Sequence, residues 1–219
     1  MTLFRGLFCA ALAVLVLLLS PVFAEEAPMK IFNVADYGAF PGQPNSAPAI
    51  RAAIEAAKAA GPGAEVVIGP GEYRVMPEPN GGFCFPLVDA KGLTVRGTPG
   101  ATHLVIFNPR SGGFLIQNSD DTWVRDVTID YDPLPFTQGL VTAVDEAGKS
   151  FDFEVQEGYP LLTDWYFNDL PKPFGKWGML YEKDQRRLKK GAPDFCFIDE
   201  FETLEGRAFR MHVAAGQEW

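Results

Sequence analysis

Residues Lys30–Phe40 read KIFNVADYGAF, Ser46–Gly61 read SAPAIRAAIEAAKAAG, and Glu65–Val75 read EVVIGPGEYRV. The order is a strand, one capped helix, and a strand that turns at Gly69-Pro70-Gly71 into another. Ser46 is placed to cap the helix, and Pro48 suits its first turn, where a missing N–H loses no partner. Ile50, Ala53, Ile54 and Ala57 recur at i, i+3, i+4 and i+7, the spacing of one helix face. Gly61 and Pro62 end it. A single helix with a small-residue face suits packing over a flat surface, where it also hides unpaired strand edges.

Beyond this stretch the chain repeats itself. Gly92-Leu-Thr-Val95-Arg96-Gly97 and Asp121-Thr-Trp-Val124-Arg125-Asp126 align at an offset of about 29 residues, a period typical of stacked repeats. His103–Phe107 and Phe114–Gln117 are further short β-prone runs. Many short strands, regular breaks and almost no helix after residue 61 predict an all-β protein. Val127, Ile129 and Tyr131 alternate with Thr128, Asp130 and Asp132, which predicts a strand with the first set inward. Pro133 favours an extended Asp132 and ends that strand.

The pattern then changes to hairpins. Leu140–Val144 and Phe151–Val155 flank Asp145–Lys149, and Phe151, Phe153 and Val155 alternate with Asp152, Glu154 and Gln156. Phe195–Ile198 and Ala208–Val213 form a second pair around Glu202–Gly206. Gly158–Asp194 between them is long and rich in Pro, Trp, Tyr and Phe, a composition that argues against disorder. Residues 137–219 therefore read as a β-rich insertion or second β-domain, and residues 25–136 as the cap and first stacked turns.

The stretch Lys30–Val75, with its Pro-Gly-x-Tyr turn, resembles the N-terminal cap of secreted right-handed parallel β-helix proteins, the pectate-lyase-like (pectin-lyase-fold) superfamily. The resemblance covers about residues 30–135. The phrase TIDYDPLPFTQG, Thr128–Gly139, is similar to a segment of β-helical glycoside hydrolases of the α-1,3-galactosidase type, which carry an extra β-barrel domain. What these resemblances imply is a solenoid with one N-terminal capping helix and a hairpin-rich insertion, acting on polysaccharide or oligosaccharide. One departure is the cap loop: the family's Gly-Asp-Gly is replaced by Phe40-Pro41-Gly42-Gln43-Pro44-Asn45. Another is that the family's catalytic residues lie on later coils, so the chain is expected to be a truncated β-helix.

Residues 1–24 read as an export signal. Arg5 precedes the apolar run Ala10–Leu19, and Val22-Phe23-Ala24 offers a cleavage site before acidic Glu25-Glu26. The alternative, a membrane anchor, suffers from the shortness of the run. The mature chain is thus expected to be secreted or periplasmic, with no membrane span. Without Arg5, 18 of the 19 basic residues remain against 28 acidic ones, a net charge of −10. That excess argues against nucleic acid as a partner. The run Lys183–Lys190 is a local basic patch, read as a solvated loop.

Paired carboxylates are the first candidate for chemistry. On one strand, Asp130 and Asp132 share a face with Cβ atoms about 6.6 Å apart. Glycosidases hold their two carboxylates about 5–5.5 Å apart when retaining and 6.5–9.5 Å when inverting. Crowding raises one pKa and so makes an acid beside a base. The plain reading is two surface aspartates before a turn. Trp165, Tyr166 and Trp177 are candidate sugar-stacking residues, with a small-core plug as the other reading. No metal site is predicted: His103 and His212 lie far apart, and no dense Asp/Asn loop supports Ca²⁺. No cofactor motif is present. Cys84 and Cys196 permit a disulfide after export, but their apolar surroundings favour two buried thiols.

The function expected is an exported glycoside hydrolase or polysaccharide lyase. The alternatives are a non-catalytic carbohydrate-binding or surface-attachment β-helix, or an inactive fragment of the enzyme.

Overall fold

The computed structural model describes residues 29–168, 170 and 176–217. Residues 1–24, read above as an export signal, lie outside them. The protein is mostly β with few helices. Strand β1 spans Lys30–Asn33, helix α1 Ala47–Ala60, β2 Ala64–Val67, β3 Gly71–Val75, and β4 Phe83–Val88. Next come β5 (Leu93–Arg96), β6 (Thr102–Ile106), β7 (Gly112–Gln117), β8 (Trp123–Arg125) and β9 (Thr128–Tyr131).

These strands form three parallel sheets, ordered β1-β2-β5-β8, β3-β6-β9 and β4-β7. The chain visits the three sheets in turn, β2-β3-β4, then β5-β6-β7, then β8-β9, and each pass pairs with the one before. Ala64 faces Leu93 and Thr94 faces Trp123, each 29 residues on, as does Phe83 facing Gly112. The offset read from Gly92–Gly97 and Asp121–Asp126 is thus a structural register.

Alternation decides which residues enter the core. Phe32, Val66, Val95 and Val124 form one inward row across the first sheet, and Tyr73, Leu104 and Ile129 another across the second. Val66, Val95 and Leu104 are essentially fully buried. Burying such a side chain contributes about 1.5–3 kcal/mol before entropy is counted. Ile129 is 42% exposed although its partner Leu104 is buried, because β9 lies at the edge of its sheet. Helix α1 contacts β1, β2 and β4, and turns Ala47, Ile50, Ala53, Ile54 and Ala57 into the same core.

Two local expectations need correction. Only Lys30–Asn33 of the first segment is strand; Val34–Tyr37 is a 3-10 turn closed by Gly38 at φ 92°. The helix is not capped by the Ser46 side chain. Ser46 Oγ turns back to Phe40 O at 3.2 Å, and Asn45 Oδ1 instead accepts the N–H groups of Ala47 at 3.1 Å and Met76 at 3.2 Å. One Asn carbonyl thus satisfies a helix-end donor and ties the helix entry to the end of β3.

After Gly139 the architecture becomes antiparallel. Strands β10 (Gly139–Asp145), β11 (Ser150–Val155), β12 (Trp177–Gly178), β13 (Cys196–Thr203) and β14 (Ala208–Val213) form one sheet ordered β10-β11-β14-β13-β12. One short helix, α2 (Trp165–Asn168), lies in the long connection between β11 and β12. Strand β13 runs through Glu202 and Thr203, which the sequence suggested were turn. This sheet has its own core, in which Phe151, Val155, Ile198, Phe209 and Met211 are buried. Cys84 belongs to the first core and Cys196 to the second, and both thiols are free.

Two outcomes follow. A Cβ on Gly97 would collide with the Asp126 carbonyl oxygen and with Thr102, whose hydroxyl donates to Gly69 O. Gly97→Ala should therefore lower stability by about 1–3 kcal/mol, read as a shift in the urea midpoint at constant slope. Burial pushes the Cys84 thiol up to about 11, while the Arg51 charge pulls it down; the Cys196 thiol is also raised by burial. Both should resist a thiol reagent at about pH 8 in the folded protein and react after denaturation.

Candidate functional site

Asp130 and Asp132 lie on either side of the end of β9. Strand β9 stops at Tyr131, so only Asp130 lies on it. Asp130 stands in the outward row Arg74–Val105–Asp130, and its Oδ1 accepts the Tyr131 N–H at 2.8 Å. Asp132 follows the strand, with its own N–H donating to Ile106 O at 3.1 Å and a cis peptide bond to Pro133. Among the described residues no group of three or more His, Cys, Asp and Glu side chains is placed to hold a metal.

The aromatic candidates separate. Tyr166 is 4% exposed, with its ring at 5.5 Å from Trp165 and 4.6 Å from Phe167, so it has no free face for a sugar. Trp165 is 58% exposed and lies under the Arg110 guanidinium, 5.3 Å from the ring centre. Arg110 also donates to the carbonyls of Tyr166, at 3.1 Å, and Trp165, at 3.4 Å. It thereby fastens α2 to the loop before β7. Trp177 belongs to β12 and meets Phe195 edge-on at 5.0 Å. It remains exposed, but on a different element from Trp165.

Across the outer face of the first sheet lies a polar constellation that sequence reasoning missed. Ile31, Glu65, Thr94 and Trp123 form one outward row, and Asn33, Val67, Arg96 and Arg125 the next but one. Glu65 is 5% exposed, and its charge is compensated. Arg96 Nε lies 2.5 Å from Oε1, and an Arg125 terminal nitrogen lies 3.5 Å from Oε2. A buried carboxylate without such partners costs several kcal/mol. Trp123 Nε1–H donates to Asp121 Oδ1 at 2.9 Å. Met29, Gly63, Glu65, Gly92, Asp121 and Trp123 line a groove of about 310 Å³ here. The available signal was alternation: with Val124 inward, Trp123 and Arg125 must face out.

A larger hollow of about 500 Å³ lies between α1 and β4. Its Arg51 is occupied structurally, donating to Met76 O and Cys84 O and pairing with Glu78 at 3.4 Å. On the antiparallel sheet, Arg210 grips Asp152 with two hydrogen bonds, at 2.8 and 3.1 Å. His212 Nε2 lies 2.8 Å from Glu202 Oε1. His103 sits on β6 in the outward row Glu72–His103–Thr128, far from that pair in the fold's order. The basic run is a tight exposed hairpin, closed by Glu182 N–H to Arg187 O at 3.0 Å and Lys189 N–H to Leu180 O at 2.8 Å.

The Arg210 hydrogen bonds hold the Asp152 carboxyl below its usual range. A carboxylate whose folded pKa is depressed stabilises the fold above its unfolded pKa of about 3.9, and that contribution fades as pH falls through the lowered value. Asp152→Asn should thus lower the denaturation midpoint near neutral pH. The gap from the parent protein should close on acidification through that lowered value.

No family model matches this chain, and no curated protein matches it. Among solved structures it is similar to the A-module of mannuronan C-5 epimerase AlgE6 from Azotobacter vinelandii, with 33% identity and a TM-score of 0.38. The match covers 45% of this chain and 28% of that one. Among the described residues no helix is long and apolar enough to cross a membrane.

Proposed function

We propose that this protein is an exported right-handed parallel β-helix that acts on a polysaccharide or oligosaccharide, as a glycoside hydrolase or polysaccharide lyase. The observation that carries the reading is the in-register stacking of three parallel sheets behind a single amphipathic helix. Parallel rungs stand about 4.8 Å apart, so outward side chains form straight rows. Such a ruled surface suits a linear polymer, which meets one side chain per rung. Export is supported by the pattern of residues 1–24.

The finer assignment is the β-helical α-1,3-galactosidase type. It is supported by the Thr128–Gly139 phrase and by the antiparallel sheet with its own core that begins at Gly139. In this reading residues 25–136 form the cap and first coils and residues 137–219 the inserted β-domain. Asp130 and Asp132 are the carboxylates assigned to general acid and base work. Trp165 and Trp177 are the exposed rings assigned to sugar stacking, with Tyr166 packing beneath Trp165. A second reading is carbohydrate binding without turnover, which needs exposed rings such as Trp165 and Trp177 and no paired carboxylates.

The test is release of reducing ends or of unsaturated products from a panel of galactans, pectins and alginates. Reducing ends alone identify hydrolysis, and ultraviolet-absorbing products identify elimination. Asp132→Asn should abolish turnover with folding intact. Binding without turnover by the parent protein selects the second reading.

A further inference from the structure

The protein carries a net charge of −9, and most of its arginines are engaged within the fold. Arg51, Arg96, Arg125 and Arg210 are in ion pairs, Arg110 and Arg207 donate to backbone carbonyls, and Arg74 lies over the Phe107 ring. Among the described residues the arginines left without such a partner are Arg186 and Arg187, neighbours on one hairpin. Lys183, Lys189 and Lys190 lie on the same hairpin, and no ion pair with a described carboxylate engages them.

The hairpin is held by its backbone, so these charges are presented rather than trailing. Tyr181 and Leu188 face each other in an antiparallel bridge, with the Glu182 and Lys189 N–H groups donating across it. Asp184 takes the turn at φ 59°, a conformation that Asp tolerates. The Glu182 carboxylate accepts the Lys190 N–H at 3.3 Å, which turns it onto the backbone. Residues 183–190 are exposed throughout. Five cations therefore crowd one turn against Glu182 and Asp184, a local charge of +3 on an acidic protein. Such crowding repels itself, and screening confines the field to about 10 Å, so an anion at the hairpin meets this patch rather than the net charge of the whole molecule.

Apolar faces stand among the cations. Trp177 and Tyr181, four residues apart on the strand that enters the hairpin, are 53% and 56% exposed. Trp177 is braced edge-on by Phe195, and the Tyr181 hydroxyl contacts the Met179 sulfur at 3.7 Å. A ring face takes the apolar face of a sugar, and a planar guanidinium fork takes both oxygens of a carboxylate. The combination fits a chain of acidic sugars. A lipid surface is the other polyanion of this kind, but anionic lipid is concentrated on the cytoplasmic leaflet, which an exported chain leaves behind. This segment also has no amphipathic helix to lie in such an interface.

We propose that the hairpin Tyr181–Leu188, with Trp177 at its base, is a docking surface for an acidic polysaccharide of the polyuronate class. Arg186 and Arg187 take its carboxylates, and Tyr181 and Trp177 take its ring faces. The proposal rests on the saccharide reading of the protein and adds a contact surface, separate in sequence from Asp130 and Asp132, and the charge of the glycan that it holds.

The test is biolayer interferometry of the purified protein over immobilised alginate, neutral galactan and phosphatidylglycerol vesicles, at low and at physiological salt. The proteins are the parent, the double reversal Arg186→Glu/Arg187→Glu, Tyr181→Ala, and a charge-matched control, Lys91→Glu/Lys149→Glu, in which two exposed lysines on other elements are reversed. All these positions are exposed, and circular dichroism confirms folding of each variant. The expected result is salt-sensitive binding of alginate, weakened about tenfold or more by the arginine reversal and about threefold by Tyr181→Ala. The control should stay within about twofold of the parent, because screening isolates distant charges. An equal loss in the control overturns the hairpin as the site, since net charge then accounts for binding. Unchanged affinity in Tyr181→Ala reduces the contact to ion exchange and overturns the saccharide dock. Tighter binding to the vesicles through the same residues overturns it in favour of a membrane. Absence of alginate binding by the parent overturns it outright, whereas turnover of any glycan in the wider panel upholds the saccharide reading independently.

Discussion

Everything in the first part of this molecule depends on strict register between parallel strands. Backbone hydrogen bonds set the rung spacing, and side chains alternate between inside and outside. Phe32, Val66, Val95 and Val124 therefore stand on one another, and so do Val75, Ile106 and Tyr131. Each pass buries its apolar face mainly against its neighbours. A slip by one residue would send Glu65 and Trp123 inward and Val66 and Val124 outward. That penalty is paid across the whole sheet at once, which makes the register robust.

Register is maintained at the corners as well as along the strands. Left-handed backbone recurs at Gly63, Gly92 and Asp121, and again at Asp89 and Asn118. Gly, Asn and Asp tolerate this region far better than other residues. Ser119 reinforces one corner by accepting the Ala90 N–H at 3.1 Å and donating to Leu87 O at 2.9 Å. The antiparallel sheet is built on different terms, with a separate core and hairpin connections. Arg110 bridges the two parts through backbone carbonyls of α2, a contact that fixes position without requiring any particular side chain on the other side.

Much of this was legible in the chain. The face of α1, the 29-residue register and the strands β10, β11 and β14 all follow from periodicity and turn chemistry, which are local. The capping residue was misjudged because Ser46 and Asn45 are both good capping types. The choice went to the side chain that also reaches Met76, which is remote in sequence. Likewise Asp132 alternates correctly with Asp130 but leaves the strand. Tyr166 reads like Trp165, yet only one of the two rings is covered. Trp123 faces outward because Val124 faces inward, but that it stands beside Thr94 and Glu65 comes only from the pairing of strands 29 residues apart.

The amino-acid sequence by itself determined the class of structure: mostly β, one helix near the start, a repeat and then hairpins. It could do so because hydrophobic alternation, helix periodicity and turn residues act over a few neighbours. Only the tertiary structure decided which surfaces are available for chemistry. Rows such as Glu65–Thr94–Trp123 combine residues about 29 positions apart. Their grouping comes from the hydrogen-bonded ladder between strands, an interaction whose partners no local pattern specifies.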